Sequence, residues 1–208
     1  MEQSDCFVKC KFTDLQLDSL RQIYFKYFHN DMPAKCNGTG IIAIWDRNIE
    51  WSPGKGLDIN HNHFGITKYQ CADDPLWEPF GPLLPYMSKT AVISKLSYGD
   101  QMYPHVDRAW RPNAIYMPIV GCSDQCESGY YDFPISDSIN RQVQVNRSNP
   151  QPLYRYAIDD NGYLTNVHLW HSVKNNGQQE RISFGWNFSA KHNTFNMCKD
   201  VLANLDLI

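Results

Sequence analysis

The sequence predicts a mainly β fold of the sandwich or barrel type, and three observations predict it. From residue 90 onward the chain breaks into short strand-like segments: 91–96, 114–120, 142–145, 153–158, 163–170 and 181–188. Turn signals separate them, at Ser97 to Asp100, Asp159 to Gly162 and Asn175 to Gly177. Long helical patterns do not alternate with these segments, so βαβ units are excluded. Aromatic residues make up 13% of the chain, which suits strand surfaces.

The N-terminal part reads differently. Residues 1–12 alternate loosely, through Phe7, Val8, Lys9, Cys10, Lys11 and Phe12, and read as a first strand. Thr13 and Gln16 then form a capping box, with Leu17, Leu20, Ile23, Tyr24, Tyr27 and Phe28 following at helical spacing. One amphipathic helix is therefore expected up to Phe28. Gly40 to Trp45 is an apolar run that reads as a strand in a loop-rich region. Pro75, Pro79, Pro82 and Pro85 forbid a long helix between them, leaving one helical turn that feeds the next strand. Asn161 and Gly162 sit between two strand-like runs and predict a hairpin.

The 208 residues fit one domain, with residues 1–89 as a cap and 90–190 as the core. Net charge is −3, and no basic run supplies the footprint of a nucleic-acid binder. The 7 cysteines are odd in number and irregular in spacing, which argues against a disulfide framework. Cys122 and Cys126 lack the second pair that a structural zinc site needs. The N-terminus has no apolar signal core, and no stretch approaches the roughly 18 apolar residues of a membrane span. A reducing cytoplasm is the expected location.

Chemistry concentrates in two segments. His105 and Asp107 are two apart, so in a strand both reach one point in space. His171 follows downstream, and Arg181 comes ten residues after it on a new strand. Two histidines and one carboxylate on one face of an iron ion leave three coordination sites open. A buried Arg holds a carboxylate bidentately, and Ser183 faces the same way two residues on. His168 competes with His171, but an offset of three points it to the other face of a strand. His61 and His63 form another pair in a polar loop, with no third ligand at a telling distance.

These residues carry a family likeness. The stretch Ser94 to Asp107, then His171 to Gly177 with Arg181, Ile182 and Ser183, resembles the 2-oxoglutarate/Fe(II)-dependent oxygenases. The nearest branch is that of the aspartyl/asparaginyl β-hydroxylases and proline hydroxylases. The resemblance covers about residues 90–190 and implies a double-stranded β-helix (jelly roll, cupin-like) core with N-terminal and flanking helices. It implies Fe(II) on His105, Asp107 and His171, and 2-oxoglutarate on Arg181 with Ser94 and Ser183 beside it. O2 is the third reactant. Relatives place an Arg and a His where this chain has Ala114 and Tyr116, so the second cosubstrate contact falls to Tyr116 in place of the His or to Arg111 reaching in from the preceding loop. Asp107 favours hydroxylation, since halogenating members replace that carboxylate with a small residue. Arg108, Arg111 and Trp170 are candidate substrate contacts at the mouth. The implied substrate is a small molecule or peptide, with no nucleic acid or membrane partner. Two other readings stay open: a catalytically silent jelly-roll binding module, and a cupin-like metal enzyme that does not use 2-oxoglutarate.

Overall fold

The structure is a computed structural model, and it describes residues 1–29, 40–45, 48–52, 66–67, 74–107, 113–133, 150–192 and 194–208. Two antiparallel sheets form its frame. The larger holds, in spatial order, β1 (Phe7–Lys9), β10 (Tyr163–Thr165), β7 (Ala114–Val120), β12 (Arg181–Phe188), β5 (Met87–Leu96), β2 (Gly40–Trp45), β3 (Asn48–Ser52) and β4 (Ile66–Thr67). The smaller holds β6 (Gln101–His105), β11 (His171–Asn175), β8 (Cys126–Tyr130) and β9 (Tyr154–Ala157). From β5 to β12 the chain passes back and forth between the two sheets. The orders β10-β7-β12-β5 and β6-β11-β8-β9 are those of a double-stranded β-helix, so the mainly β expectation and its jelly-roll form are both met.

Strand β12 sits between β7 and β5, and all eight of its residues are buried. Both of its faces are therefore covered. Ile182, Phe184, Trp186 and Phe188 point outward into the main core, where they meet Ile93 of β5 and Ile115 and Met117 of β7. Helix α2 (Asp14–Tyr27) covers that core with Leu17, Leu20, Ile23 and Tyr24. Helix α3 (Phe195–Asn204) adds Phe195, Cys198 and Leu202. Each large side chain fully buried here stabilises the fold by roughly 1.5–3 kcal/mol. The opposite face of β12 carries Arg181, Ser183, Gly185 and Asn187, because successive side chains alternate. A polar inner face on a central strand is the first structural sign of a site.

Local chemistry explains the elements. Thr13 caps α2, with its Oγ1 accepting from the Gln16 backbone N–H at 3.3 Å and Gln16 Oε1 accepting from the Thr13 N–H at 2.9 Å. The proline-punctuated segment forms two short 3-10 helices, Pro75–Phe80 and Leu84–Tyr86, since each proline lacks the N–H that a longer helix would use. A short α1 (Gln3–Cys6) precedes β1.

Several expectations need correction. Asn161 and Gly162 do not close a hairpin: β9 lies in the small sheet and β10 in the large one, so this turn switches sheets. Asn161 instead binds the Phe12 backbone, accepting from its N–H at 3.0 Å and donating to its carbonyl at 3.0 Å. The strand expected over 163–170 stops at Thr165, and His168 lies in a turn rather than a strand. The first strand is shorter than expected, Phe7–Lys9. Strands β8 and β11 were not anticipated as elements, while α3 is one of the flanking helices that the family likeness implied. The expected strand at 142–145 lies outside the described residues. The five described cysteines are free. Among the described residues no helix is long and apolar enough to cross a membrane.

Candidate metal centre and anion pocket

His105 is the last residue of β6, and His171 is the first of β11. The two are cross-strand partners, which brings their rings to a centroid separation of 4.3 Å. Between His171 and Val173 the register shifts, because β6 advances from Met102 to His105 while β11 advances by one residue fewer. Such bulges re-aim side chains next to functional sites. Asp107 lies just past the end of β6, and its backbone N–H donates to Val167 O at 2.9 Å. That bond returns the chain to the site, so Asp107 Oδ1 stands 3.8 Å from His105 Nε2. One ligand atom from each of His105, Asp107 and His171 falls within 4.8 Å of the others, and this is the one such cluster among the described residues.

Hydrogen bonding sets the tautomer of His171. Its Nδ1 lies 2.8 Å from the Leu169 carbonyl, which can only accept, so Nδ1 carries the hydrogen and Nε2 keeps its lone pair. His171 is 7% exposed, whereas the His105 and Asp107 side chains are 17% and 12% exposed. The cluster is sheltered on one side and accessible on the other.

A cavity runs from this cluster between the sheets. Its walls include Val92 and Ser94 of β5, Tyr116 of β7, and Arg181 and Ser183 of β12. Ser183 and Ser94 are cross-strand partners on adjacent strands. Arg181 is 2% exposed, and no carboxylate lies within ion-pair distance of it among the described residues. Its Nε and the fully buried Ser183 Oγ have no hydrogen-bond partner there. Burial pushes the neighbouring Cys122 thiol above its ordinary pKa, while the Arg181 charge pulls the other way. A buried guanidinium of this kind calls for an anion.

The loops around Arg181 hold it in place. Gly121 closes β7 at φ +63°, and a Cβ there would stand 1.9 Å from the Glu180 carbonyl oxygen. No other residue could let the chain pass so close to the start of β12. Asn175, wholly buried, ties the β11–β12 turn together: its Nδ2 donates to Leu96 O at 2.9 Å and Gln179 O at 2.7 Å. Its Oδ1 accepts from the Gly177 N–H at 3.0 Å. The step from His171 to Arg181 is thus a fixed turn.

Tyr116 also reaches the cavity. It is the cross-strand partner of Gly185, and its ring occupies the space a side chain there would need: a Cβ on Gly185 would meet Tyr116 Cε1 at 2.6 Å. The structure therefore brings His105, Asp107, His171, Arg181, Ser183, Ser94 and Tyr116 to one cavity. His168 is absent from the ligand cluster. Trp170 is buried but absent from the cavity wall, and its ring packs against Phe133 at 5.6 Å. Trp186 points into the outer core. Arg108, Arg111, His61 and His63 lie outside the described residues. Sequence reasoning missed Ser128, Tyr156, Ile158 and Thr165, which line the cavity from β8, β10 and around β9. The segment Cys126 to Tyr130 gives little strand signal, since Glu, Ser and Gly are poor strand formers.

No protein-family model matches the chain, and no curated protein matches it. Among solved structures it is similar to the Escherichia coli ribosomal oxygenase YcfD, at 13% identity and a TM-score of 0.40, over 74% of this chain and 40% of that one. A second E. coli ycfD structure gives 12% identity and 0.44, over 90% and 50%. An oxidoreductase of the 2OG-Fe(II) oxygenase family from Burkholderia pseudomallei gives 10% identity and 0.44, over 90% and 95%. The chain spans half or less of the length of the E. coli protein in these matches.

Proposed function

We propose that this chain is a single-domain 2-oxoglutarate- and Fe(II)-dependent dioxygenase that hydroxylates an amino acid, a peptide side chain or a related small molecule. One observation carries the reading: a two-His, one-Asp cluster shares its cavity with a buried Arg181 that has no carboxylate partner among the described residues. The donor set suits iron, since two imidazole nitrogens and one carboxylate are the ligands of a facial triad. Iron with 2-oxoglutarate supplies, when bound, the O2 activation that places one oxygen atom in a C–H bond and releases succinate and CO2.

The residues divide the work. His171 presents Nε2, held by the Leu169 carbonyl behind it. His105 and Asp107 complete the donor set, and the Asp107 charge offsets part of the ion's charge. Arg181 pairs with the distal carboxylate of the cosubstrate through its planar fork. Ser183 and Ser94 offer hydroxyls beside it, and Tyr116 narrows the channel between the two ends. The buried wall keeps water from the reacting centre, which strengthens every charge contact inside it.

Anaerobic titration tests this. Fe(II) and 2-oxoglutarate added to the protein are expected to give a weak visible charge-transfer band that His171→Ala abolishes. A screen of amino acids and peptides for succinate release, with mass detection of a +16 product, then identifies the substrate. Wild-type protein that binds Fe(II) without the band refutes the reading.

A further inference from the structure

Two thiols stand away from the metal cluster, and the reading above uses neither. Cys122 and Cys126 flank the turn from β7 to β8. Cys126 pairs with Asn175 at the end of β11, whereas His171 begins that strand. The turn doubles back, with the Cys126 backbone N–H donating to Ser123 O at 2.9 Å. Cys126 Sγ lies 3.5 Å from the carbonyl oxygen of Gly121, whose peptide bond leads directly into Cys122. One peptide unit thus separates the second sulfur from the backbone of the first residue.

Each thiol donates to a group that holds Arg181. Cys122 Sγ donates to Ile182 O at 3.2 Å, and Ile182 follows Arg181 on β12. Cys126 Sγ donates to Asn175 Oδ1 at 3.3 Å, and Asn175 ties the turn that leads into Arg181. A disulfide carries no hydrogen, so oxidation of the pair removes both donors at once. Access to the two is unequal. Of the five described cysteines Cys122 is the one that is not buried, and Cys126 is wholly buried. A reachable thiol with a second thiol close behind it is the arrangement of a cysteine that is oxidised and then resolved. Burial holds the Cys122 thiol above its ordinary pKa, and the Arg181 guanidinium pulls it back. The thiolate is then a minor form at neutral pH, so the pair answers sustained peroxide rather than a brief pulse.

We propose that Cys122 and Cys126 form a disulfide under hydrogen peroxide and that this bond weakens 2-oxoglutarate binding at Arg181. The inference rests on the oxygenase reading for the ligand it names. In the first step the Cys122 sulfur attacks peroxide: an S–O bond forms, the O–O bond breaks, and water leaves. In the second the Cys126 sulfur displaces the hydroxyl from the sulfenic acid: the S–S bond forms, the S–O bond breaks, and a second water leaves. The two thiols lose two hydrogens and two electrons, and one peroxide becomes two waters.

The test joins peptide mass mapping to calorimetric titration of the Mn(II)-loaded protein with 2-oxoglutarate, without O2, before and after peroxide. The mapped pair is expected to be about 2 Da lighter and closed to thiol alkylation until it is reduced. Affinity for 2-oxoglutarate is expected to fall about tenfold, as two weak hydrogen bonds are worth together, and to return with dithiothreitol. Mn(II) affinity is expected to stay the same, since the triad lies at the other end of β11. Cys122→Ser keeps a hydroxyl donor toward Ile182 O and cannot form the bond, so its 2-oxoglutarate affinity is expected to ignore peroxide. A pair that stays reduced overturns the proposal. So does a disulfide that leaves the affinity unchanged, a loss that persists in Cys122→Ser, or an equal loss for Mn(II). Reduced wild-type protein that binds Mn(II) but not 2-oxoglutarate overturns the oxygenase reading and the gating with it, whereas the mass change of the pair stands or falls by itself.

Discussion

Replacing Arg181 with Met separates function from stability in a way that few substitutions do. The guanidinium is 2% exposed, and among the described residues no carboxylate pairs with it. Charges held like this cost several kcal/mol in desolvation, and apolar replacements of similar volume stabilise by about 1–4 kcal/mol. In a chain of this size 1 kcal/mol corresponds to about 2–4 °C in melting temperature. Arg181→Met is therefore expected to melt about 2–16 °C above the wild type in the absence of ligand. With 2-oxoglutarate at 100 times its dissociation constant, the wild type gains about 2.7 kcal/mol, and the variant gains nothing. The two curves cross as the cosubstrate is added. Differential scanning calorimetry of both proteins with Mn(II), over a cosubstrate titration, reads this directly. A variant that melts several degrees below the wild type without ligand, yet keeps the ligand-induced rise, refutes the reasoning.

Two further outcomes follow from the geometry. Gly185→Ala places a Cβ 2.6 Å from Tyr116 Cε1 and 2.7 Å from Val92 Cγ2, so one side chain must shift into the cavity. A loss of about 1–3 kcal/mol in urea unfolding is expected, with weaker 2-oxoglutarate binding. Unchanged values for both would mean that Tyr116 moves freely. Asp74 accepts hydrogen bonds from Lys26, Tyr27 and the Leu76 N–H, and the Lys26 bond first among these lowers its pKa to about 2. Its folded value lies below its unfolded one, so the stability it adds is present above about pH 4 and lost as pH falls toward 2. Asp74→Asn is expected to be less stable at neutral pH and to show a flatter acid limb between pH 4 and pH 2 in unfolding monitored by circular dichroism. An acid limb as steep as the wild type's would contradict this.

The legible part of the site was the part written in short spacings. His105 and Asp107 stand two apart, and one turn separates His171 from Arg181, so neighbours in sequence are neighbours in space. The same holds for α2, whose Thr13–Gln16 capping box and apolar stripe are local. Strand β12 was readable because its alternation is plain, with Ile182, Phe184 and Trp186 on one face and Arg181, Ser183 and Gly185 on the other. Parity excluded His168 for a reason the structure changes: it sits in a turn, and the Leu169 carbonyl and the β6 bulge are what single out His171.

The sequence by itself determined the mainly β class, the cap of α2 and which residues are candidates for holding a metal and an anion. These follow from period, capping and side-chain chemistry, which act within a few residues. The tertiary structure decided which sheet each strand joins, and so which faces meet. Asn161–Gly162 has the local chemistry of a hairpin, yet β9 pairs with β8 in the small sheet and β10 with β1 and β7 in the large one. Ser128 and Tyr156 could equally have faced solvent. They line the cavity because β8 and β9 pair with these two residues opposite each other on the face toward the large sheet, and that pairing is long-range and invisible in any short window of sequence.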